Sequence, residues 1–277
     1  MKITIVITLL NDKRVLKTLE SLTKQTLKPD EVIVADGGSK KELISKIKNF
    51  EKRYDYIKLH HIPGKIAESR NKTMKIVNGD IIVFIDSDEI APDDWLYKIT
   101  KPIREGKADF TGGKYYPLYK PKTKCEKYVN DSTEWRWNNL IKKDATTIFM
   151  GNSAWKKEIF EKIGNFDEKL KWGGEDYDIN IRADQHGFKG KFVENAFLYH
   201  DQSQLNSIEK ILRKHLKYYT GTTIAYLKNN TKGKKRGAAK VSLGFFHPIE
   251  IANLILKAIA FVKGYRLYKK IYDGDKK

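Results

Sequence analysis

The 277-residue chain reads as an α/β protein, with a mostly parallel sheet flanked by helices and a helical C-terminal extension. Three observations predict this. Apolar runs alternate with amphipathic stretches through the first half, the pattern of βαβ units. One run, Ile81-Ile82-Val83-Phe84-Ile85, has no polar position, as a strand buried on both faces requires. After His200 the composition changes: from Asp201 to Lys277, 17 Lys or Arg stand against 5 Asp or Glu, in a chain of net charge +19.

The elements follow in order. The apolar run Ile3–Leu10 is a strand, and the amphipathic stretch Lys13–Lys24 a helix. Strand Glu31–Ala35 leads to helix Lys40–Tyr54, and strand Ile57–His60 to a helix over Ala67–Val77 and then the strand Ile81–Ile85. The segment from Phe110 to Met150, rich in Tyr, Trp and Lys, reads as less regular. Phe149–Phe160 holds a short apolar segment and a helix. Trp172–Gly187 carries an acidic cluster at a helix start, and Phe188–Leu198 reads as a final strand pair. Ser207–Leu227 is helical with Lys and Arg on one side, Lys232–Gly237 is a basic break, and Pro248 starts a helix running to about Tyr268. The expected division is a catalytic domain over 1–202 and a basic helical extension over 203–277.

Composition sets limits. Cys125 is the single cysteine, which excludes internal disulfides and a Cys-based zinc site. No apolar run reaches the ~18 residues a membrane span needs, and no signal-peptide pattern opens the chain. The expected location is therefore cytoplasmic, with peripheral attachment to the inner face of the membrane. The basic tail calls for an anionic partner, either nucleic acid or a membrane surface.

Asp86-Ser87-Asp88 follows directly on the apolar run. A strand ending in two carboxylates delivers them to the carboxyl edge of the sheet, where open α/β folds bind ligands. Two Asp at i and i+2 repel unless a cation lies between them, and hard oxygen ligands suit Mg²⁺ or Mn²⁺ carrying a diphosphate. A plainer reading has Asp86, Asp88 and Glu89 cap a helix near Pro92. Asp36-Gly37-Gly38-Ser39 ends the second strand: Asp36 can accept bonds from a base or ribose, or simply hold a tight turn. Arg70, in Ala67-Glu68-Ser69-Arg70-Asn71, can offer a fork of donors to a diphosphate.

Trp172-Gly173-Gly174-Glu175-Asp176-Tyr177-Asp178 is the second strong signal. Paired glycines let backbone approach a ligand, and Trp172 offers a flat face to a sugar. Glu175 and Asp176 stand at a helix N-terminus, whose dipole favours ionised carboxylates. Asp176 is the candidate general base. Asp178 and Arg182 have the spacing of an ordinary surface ion pair. His200, at the end of the last strand, is a candidate third metal ligand beside Asp86 and Asp88.

Taken together these segments resemble family 2 glycosyltransferases of the GT-A fold, a Rossmann-like nucleotide-binding architecture, from Ile3 to about Gln202. Ser21-Leu22-Thr23-Lys24-Gln25-Thr26, Asp36, Ser69-Arg70-Asn71, Asp86-Ser87-Asp88 and Glu175-Asp176 match family motifs. The Trp172–Asp178 loop is also similar to that of beta-1,4-galactosyltransferases, where a later His ligates the metal. The first strand departs from the common Ile-Pro ending, with Ile7-Thr8-Leu9-Leu10 forming the expected base-binding edge through Thr8 and Leu10. The resemblance implies sugar transfer with inversion from a nucleotide diphosphate sugar, UDP-sugar favoured, to a glycan or lipid-linked acceptor, with Mn²⁺ or Mg²⁺. It implies a donor site of Thr8, Leu10, Asp36, Arg70, Asp86 and Ser87, and a metal at Asp86, Asp88 and His200. Acceptor contacts fall to Trp172, Gly174 and Glu175, and deprotonation of the acceptor to Asp176.

Two other classes compete. A nucleotidyltransferase would show a Gly-rich loop after the first strand, and Leu9–Arg14 contains no glycine. A nucleic-acid-binding protein rests on charge alone, and unmetallated Asp clusters repel phosphate; nucleic acid is not an expected partner. In Pro248–Tyr268, Ile251, Leu254, Ile255, Ala258, Ile259 and Val262 share a stripe flanked by Lys257, Lys263, Arg266 and Lys269. Such a helix either lies on an anionic membrane, with 232–270 as the contact, or docks its apolar stripe on the catalytic domain.

Overall fold

The computed structural model describes residues 1–139, 148–230 and 248–273. Strands β1 (Ile3–Leu9), β2 (Glu31–Asp36), β3 (Ile57–His61) and β4 (Ile81–Ile85) alternate with helices α1 (Val15–Thr23), α2 (Lys41–Arg53) and α3 (Ile66–Met74). The short strand β5 (Glu89–Ile90) and helix α4 (Trp95–Arg104) precede β6 (Phe110–Pro117) and α5 (Lys124–Asn139). Then come β7 (Asn152–Lys156), α6 (Lys157–Ile163), α7 (Glu175–Gln185), β8 (Gly190–His200), α8 (Ile208–Asn230) and α9 (Pro248–Tyr268).

The strands form one sheet in the order β3-β2-β1-β4-β7-β6-β8-β5. Pairing is parallel from β3 to β4 and between β6 and β8; β7 runs antiparallel to β4 and β6, and β5 to β8. Successive side chains of β1 serve opposite faces of the sheet. Ile3, Ile5 and Ile7 enter one core with Leu19, Val83 and Trp95, while Val6 enters the other with Ile33, Phe84 and Trp155. Because β1, β2 and β4 are parallel, their carboxyl ends meet at one edge, which is where the acidic motifs fall.

Three expectations are corrected. The segment from Phe110 is not irregular: β6 and α5 occupy most of its described part, and β6 pairs with both β7 and β8. The final strand pair is one long strand, β8, because a register shift opposite Gly113–Tyr115 lets it bend without breaking. A helix does start near Pro92, but Glu89 does not cap it. That residue lies in β5, opposite His200, and the next helix starts at Trp95.

The C-terminal helices pack against the catalytic sheet's partners. Gly173 and Gly174 have φ of 95° and 87°, left-handed values that favour glycine. Their smallness serves helix docking: a Cβ on Gly174 would sit 2.5 Å from the carbonyl oxygen of Gly221 in α8, and one on Gly221 would strike Gly173. The Asp178–Arg182 pair is no surface pair. Asp178 is fully buried and accepts from Arg182 Nε at 2.9 Å, Lys228 Nζ at 2.8 Å and Asn229 Nδ2 at 2.9 Å, which ties α7 to α8. The basic break over 232–237 lies outside the described residues.

Candidate active site

The tips of β1, β2 and β4 and the end of β8 converge on one cleft. At the tip of β2, Asp36 is buried, and its carboxylate accepts from the backbone N–H groups of Gly38 and Ser39 at 3.0 Å. It thus holds the turn that the two glycines make. Thr8 and the exposed Leu10 lie at the neighbouring tip of β1, where Gly37 N–H donates to Leu9 O at 2.7 Å.

Beyond β4 the chain places Asp86, Ser87, Asp88 and Glu89 in succession. Ser87 Oγ donates to Asp12 Oδ2 at 3.2 Å. Glu89, read from the sequence only as a helix cap, is buried; one of its oxygens accepts from Asp86 N–H at 2.8 Å and the other has no partner. Asp88 Oδ2 lies 3.3 Å from His200 Nε2, held there by the pairing of β5 with β8. One ligand atom each from Asp88, Glu89 and His200 falls within 4.8 Å of the others. Two hard oxygens and an imidazole, with an orphaned buried oxygen among them, fit a divalent ion such as Mn²⁺. Asp86 stands beside this cluster, turned toward Arg70 Nη2 at 3.9 Å.

The charges tune one another. Desolvation pushes the Glu89 carboxyl well up, reinforced by Asp86 and Asp88. Asp86 is raised by desolvation and by Asp88, against the pull of Arg70. Asp88 is lowered: burial opposes ionisation, but the His200 hydrogen bond and the charges of His200 and Arg14 outweigh it. Arg14 also escaped the sequence reading. It bonds Asp12 at 2.7 Å, reaches Asp88 at 3.4 Å and donates to the backbone oxygen of Asp201 at 3.0 Å.

Arg70 is buried rather than presented on a helix surface, its guanidinium over the rings of Phe166 and Phe84. It donates to Glu175 Oε1 at 3.1 Å, while Glu175 Oε2 and Arg70 Nε are buried without partners. Arg70 therefore bridges the β4 tip and the start of α7. Next to Glu175, the carboxyl of Asp176 is raised to about 7 by desolvation and by the Glu175 charge. Trp172, partly buried, packs beside Leu170 and beside Ile224 and Tyr268 of the helical extension.

Contacts thus link Asp88 to His200, Asp86 to Arg70 and Arg70 to Glu175, with Asp176 next in the chain, while Thr8, Leu10, Asp36 and Ser87 lie at the same carboxyl edge of the sheet. Helix α8 adds Tyr218, whose ring lies against Gly173 and whose hydroxyl is raised by burial and by the charges of Asp176 and Asp86. Only Glu89 had a local signal, a third carboxylate directly after Asp86-Ser87-Asp88. Arg14 and Tyr218 are too distant in sequence to be linked to the site by spacing.

The architecture matches that of mannosyltransferase PcManGT from Pyrobaculum calidifontis, solved in complex with GDP-Man and Mn²⁺. The TM-score is 0.65 at 15% identity, covering 96% of this chain and 73% of that one. The fold is GT-A. A family model described as glycosyl transferase family 2 matches residues 4–164, and one described as the N-terminal domain of galactosyltransferase matches 136–210. A chondroitin synthase of Pasteurella multocida (strain Pm70) is 25% identical over 238 residues, 72% of this chain. The O-antigen chain rhamnosyltransferase RfbN of Salmonella typhimurium is 26% identical over 227 residues, 73% of this chain and 67% of that protein. The chain belongs to glycosyl transferase family 2. It spans 25% of the length of the chondroitin synthase.

Proposed function

We propose that this chain is an inverting glycosyltransferase that moves a sugar from a nucleoside diphosphate sugar to a hydroxyl of a glycan or lipid-linked acceptor. The observation that carries the reading is a carboxyl poised at about 7, Asp176, in the same cleft as Asp86, Asp88 and His200. A base of that pKa accepts a proton near neutral pH without being too weak to hold it. The acceptor oxygen forms a bond to the anomeric carbon as the bond to the diphosphate oxygen breaks. The proton passes to Asp176, and the electron pair leaves with the nucleoside diphosphate. A single displacement of this kind inverts the anomeric carbon and needs no covalent enzyme intermediate. Asp88, Glu89 and His200 would hold Mn²⁺ or Mg²⁺, with Asp86 beside them; the ion supplies positive charge to the leaving diphosphate. Arg70 orients Glu175, which faces the acceptor side with Gly174. Trp172, partly exposed, is a further acceptor contact in this reading. UDP-sugar is the favoured donor, with Asp36, Thr8 and Leu10 at the base and Ser87 beside the ribose.

The setting we propose is an anionic membrane face. Helix α9 docks on its neighbours through Asn253, which bonds Tyr128 Oη at 2.8 Å and His215 at 2.7 Å, and through Gly264 against Thr223. Its apolar stripe points the other way: Ile255 is 61% exposed and Ile259 and Val262 50% each, with Lys263 and Arg266 exposed alongside. The docked-helix alternative needed that stripe to face the protein. Among the described residues no helix is long and apolar enough to cross a membrane, so the favoured geometry is a helix lying in the interface.

The test is a panel of UDP-, GDP- and dTDP-sugars, each with Mn²⁺ and with Mg²⁺, read by thermal stabilisation and by release of nucleoside diphosphate. One donor should raise the melting temperature by mass action and be hydrolysed only with metal. A panel in which no nucleotide sugar does either overturns the reading.

A further inference from the structure

Helix α8 lies almost wholly beyond the residues the two family models match, yet one of its faces meets the start of α7. Lys214, Tyr218, Gly221, Ala225 and Asn229 recur at spacings of three and four, the spacing of one helical face. The register of that face is fixed at two places. Gly221 meets the Gly173–Gly174 turn at a distance no side chain could share, and Asn229 and Lys228 reach the buried Asp178. One turn earlier, the Tyr218 ring lies against Gly173, with its Cδ1 3.4 Å from the position a Cβ there would take. One turn earlier again, the Lys214 ammonium sits 5.9 Å from the centre of that ring.

Lys214 is thereby set on the face of α8 that meets the Gly173–Gly174 turn, directly before the start of α7. Its ammonium feels the carboxylates of Asp88 and Asp86, and also the opposing charges of Arg136 and Arg14. Desolvation in this position outweighs the carboxylates and lowers its pKa. It differs from Arg14 and Arg70. Arg14 is committed to Asp12 and Asp201, and Arg70 to Glu175. No carboxylate lies within ion-pair distance of Lys214 among the described residues. A partly desolvated ammonium facing acidic groups, without a direct partner of its own, has donors to spare for an anion.

We propose that Lys214 binds the diphosphate of the donor and steadies it as it leaves, so that α8 completes the active site. This rests on the reading of the cleft as a nucleotide-sugar site. One divalent ion on the carboxylates leaves part of the diphosphate charge uncompensated, and the Lys214 ammonium on α8 is the cation left to meet it. The contact would be made to the diphosphate and not to the nucleoside, which lies along the β1 and β2 tips.

The experiment is calorimetric titration of the full chain with UDP, UMP, GDP and GMP in Mn²⁺, for wild type, Lys214→Ala, Lys214→Arg and Lys217→Ala. Loss of one charge-assisted hydrogen bond should weaken diphosphate binding ~10- to 100-fold and leave monophosphate binding nearly unchanged. Arginine should restore most of the affinity. Lys217, exposed one turn further along α8, should be silent, which separates a local contact from loss of net charge. Melting temperatures of all variants should agree, since Lys214 has no ion pair to lose. Wild-type protein that binds neither diphosphate overturns the nucleotide-site reading itself. Wild-type protein that binds one, with Lys214→Ala binding it equally well or losing UMP and GMP in the same proportion, overturns the role of Lys214 alone.

Discussion

Replacing Asp176 by Asn should separate catalysis from stability. The carboxyl moves from 3.8 to about 7 through desolvation and the neighbouring Glu175. The folded chain thus holds this proton to higher pH than the unfolded chain does. Stability from this group is full below pH 3.8 and falls as pH rises through about 7. At about 1.4 kcal/mol per pKa unit, ionised Asp176 costs on the order of 2–4 kcal/mol above pH 7. Asn cannot ionise. In metal-free protein at pH 8 the variant should therefore melt higher than wild type, and at pH 4 the two should converge. Transfer should fall ~10²–10⁴-fold, the usual loss for a general base, while donor affinity holds. Wild-type kcat should itself climb with pH and level off above about 7. The measurements are melts at pH 4, 6 and 8 in chelator, calorimetry of donor binding, and a pH profile of transfer. Identical stability profiles for the two proteins, or full turnover by the variant, would refute the reasoning.

Three further outcomes are expected. Glu89→Gln and His200→Ala should each weaken Mn²⁺ binding by at least ~10-fold, seen by electron paramagnetic resonance of free Mn²⁺. Mn²⁺ affinity should also rise with pH, because the ion competes with protonation of the Glu89 carboxyl, which burial pushes up; unchanged affinity in Glu89→Gln would remove it from the ligand set. Gly221→Ala should cost roughly 1–3 kcal/mol by overpacking and lower transfer as well, since the added methyl meets Gly173 just before Glu175 and Asp176; chemical denaturation and a transfer assay report both. The double variant Ile255→Glu, Ile259→Glu should keep wild-type stability, both side chains being exposed. It should also lose its sedimentation with anionic liposomes, an interaction that salt should weaken in the wild type; binding that survives both changes would count against the interfacial helix.

The Arg70–Glu175 pair shows how a site residue can act at second hand. A single Arg at a helix start reads as a ligand for phosphate. Here burial under Phe84 and Phe166 takes it out of solvent, and its guanidinium donates to Glu175. Its unpartnered Nε and the free Glu175 Oε2 are the kind of buried polar atoms that a bound ligand satisfies.

The sequence by itself determined the parallel half of the sheet, because apolar runs and strand-terminal carboxylates are local patterns. Asp36, Asp86, Asp88, Asp176 and His200 were each legible as the residue that ends a strand or starts a helix. What the sequence could not determine is anything that depends on two segments meeting. Glu89 becomes a ligand-type group only because β5 pairs with β8 and sets it opposite His200. Arg14 joins the site through Asp88 and Asp201, far along the chain. The paired glycines looked suited to a ligand and proved to be the seat of α8, since a missing Cβ signals close approach without saying what approaches. The apolar stripe of α9 was equally ambiguous: periodicity fixes which residues share a face, and only packing decides whether that face turns inward or toward solvent.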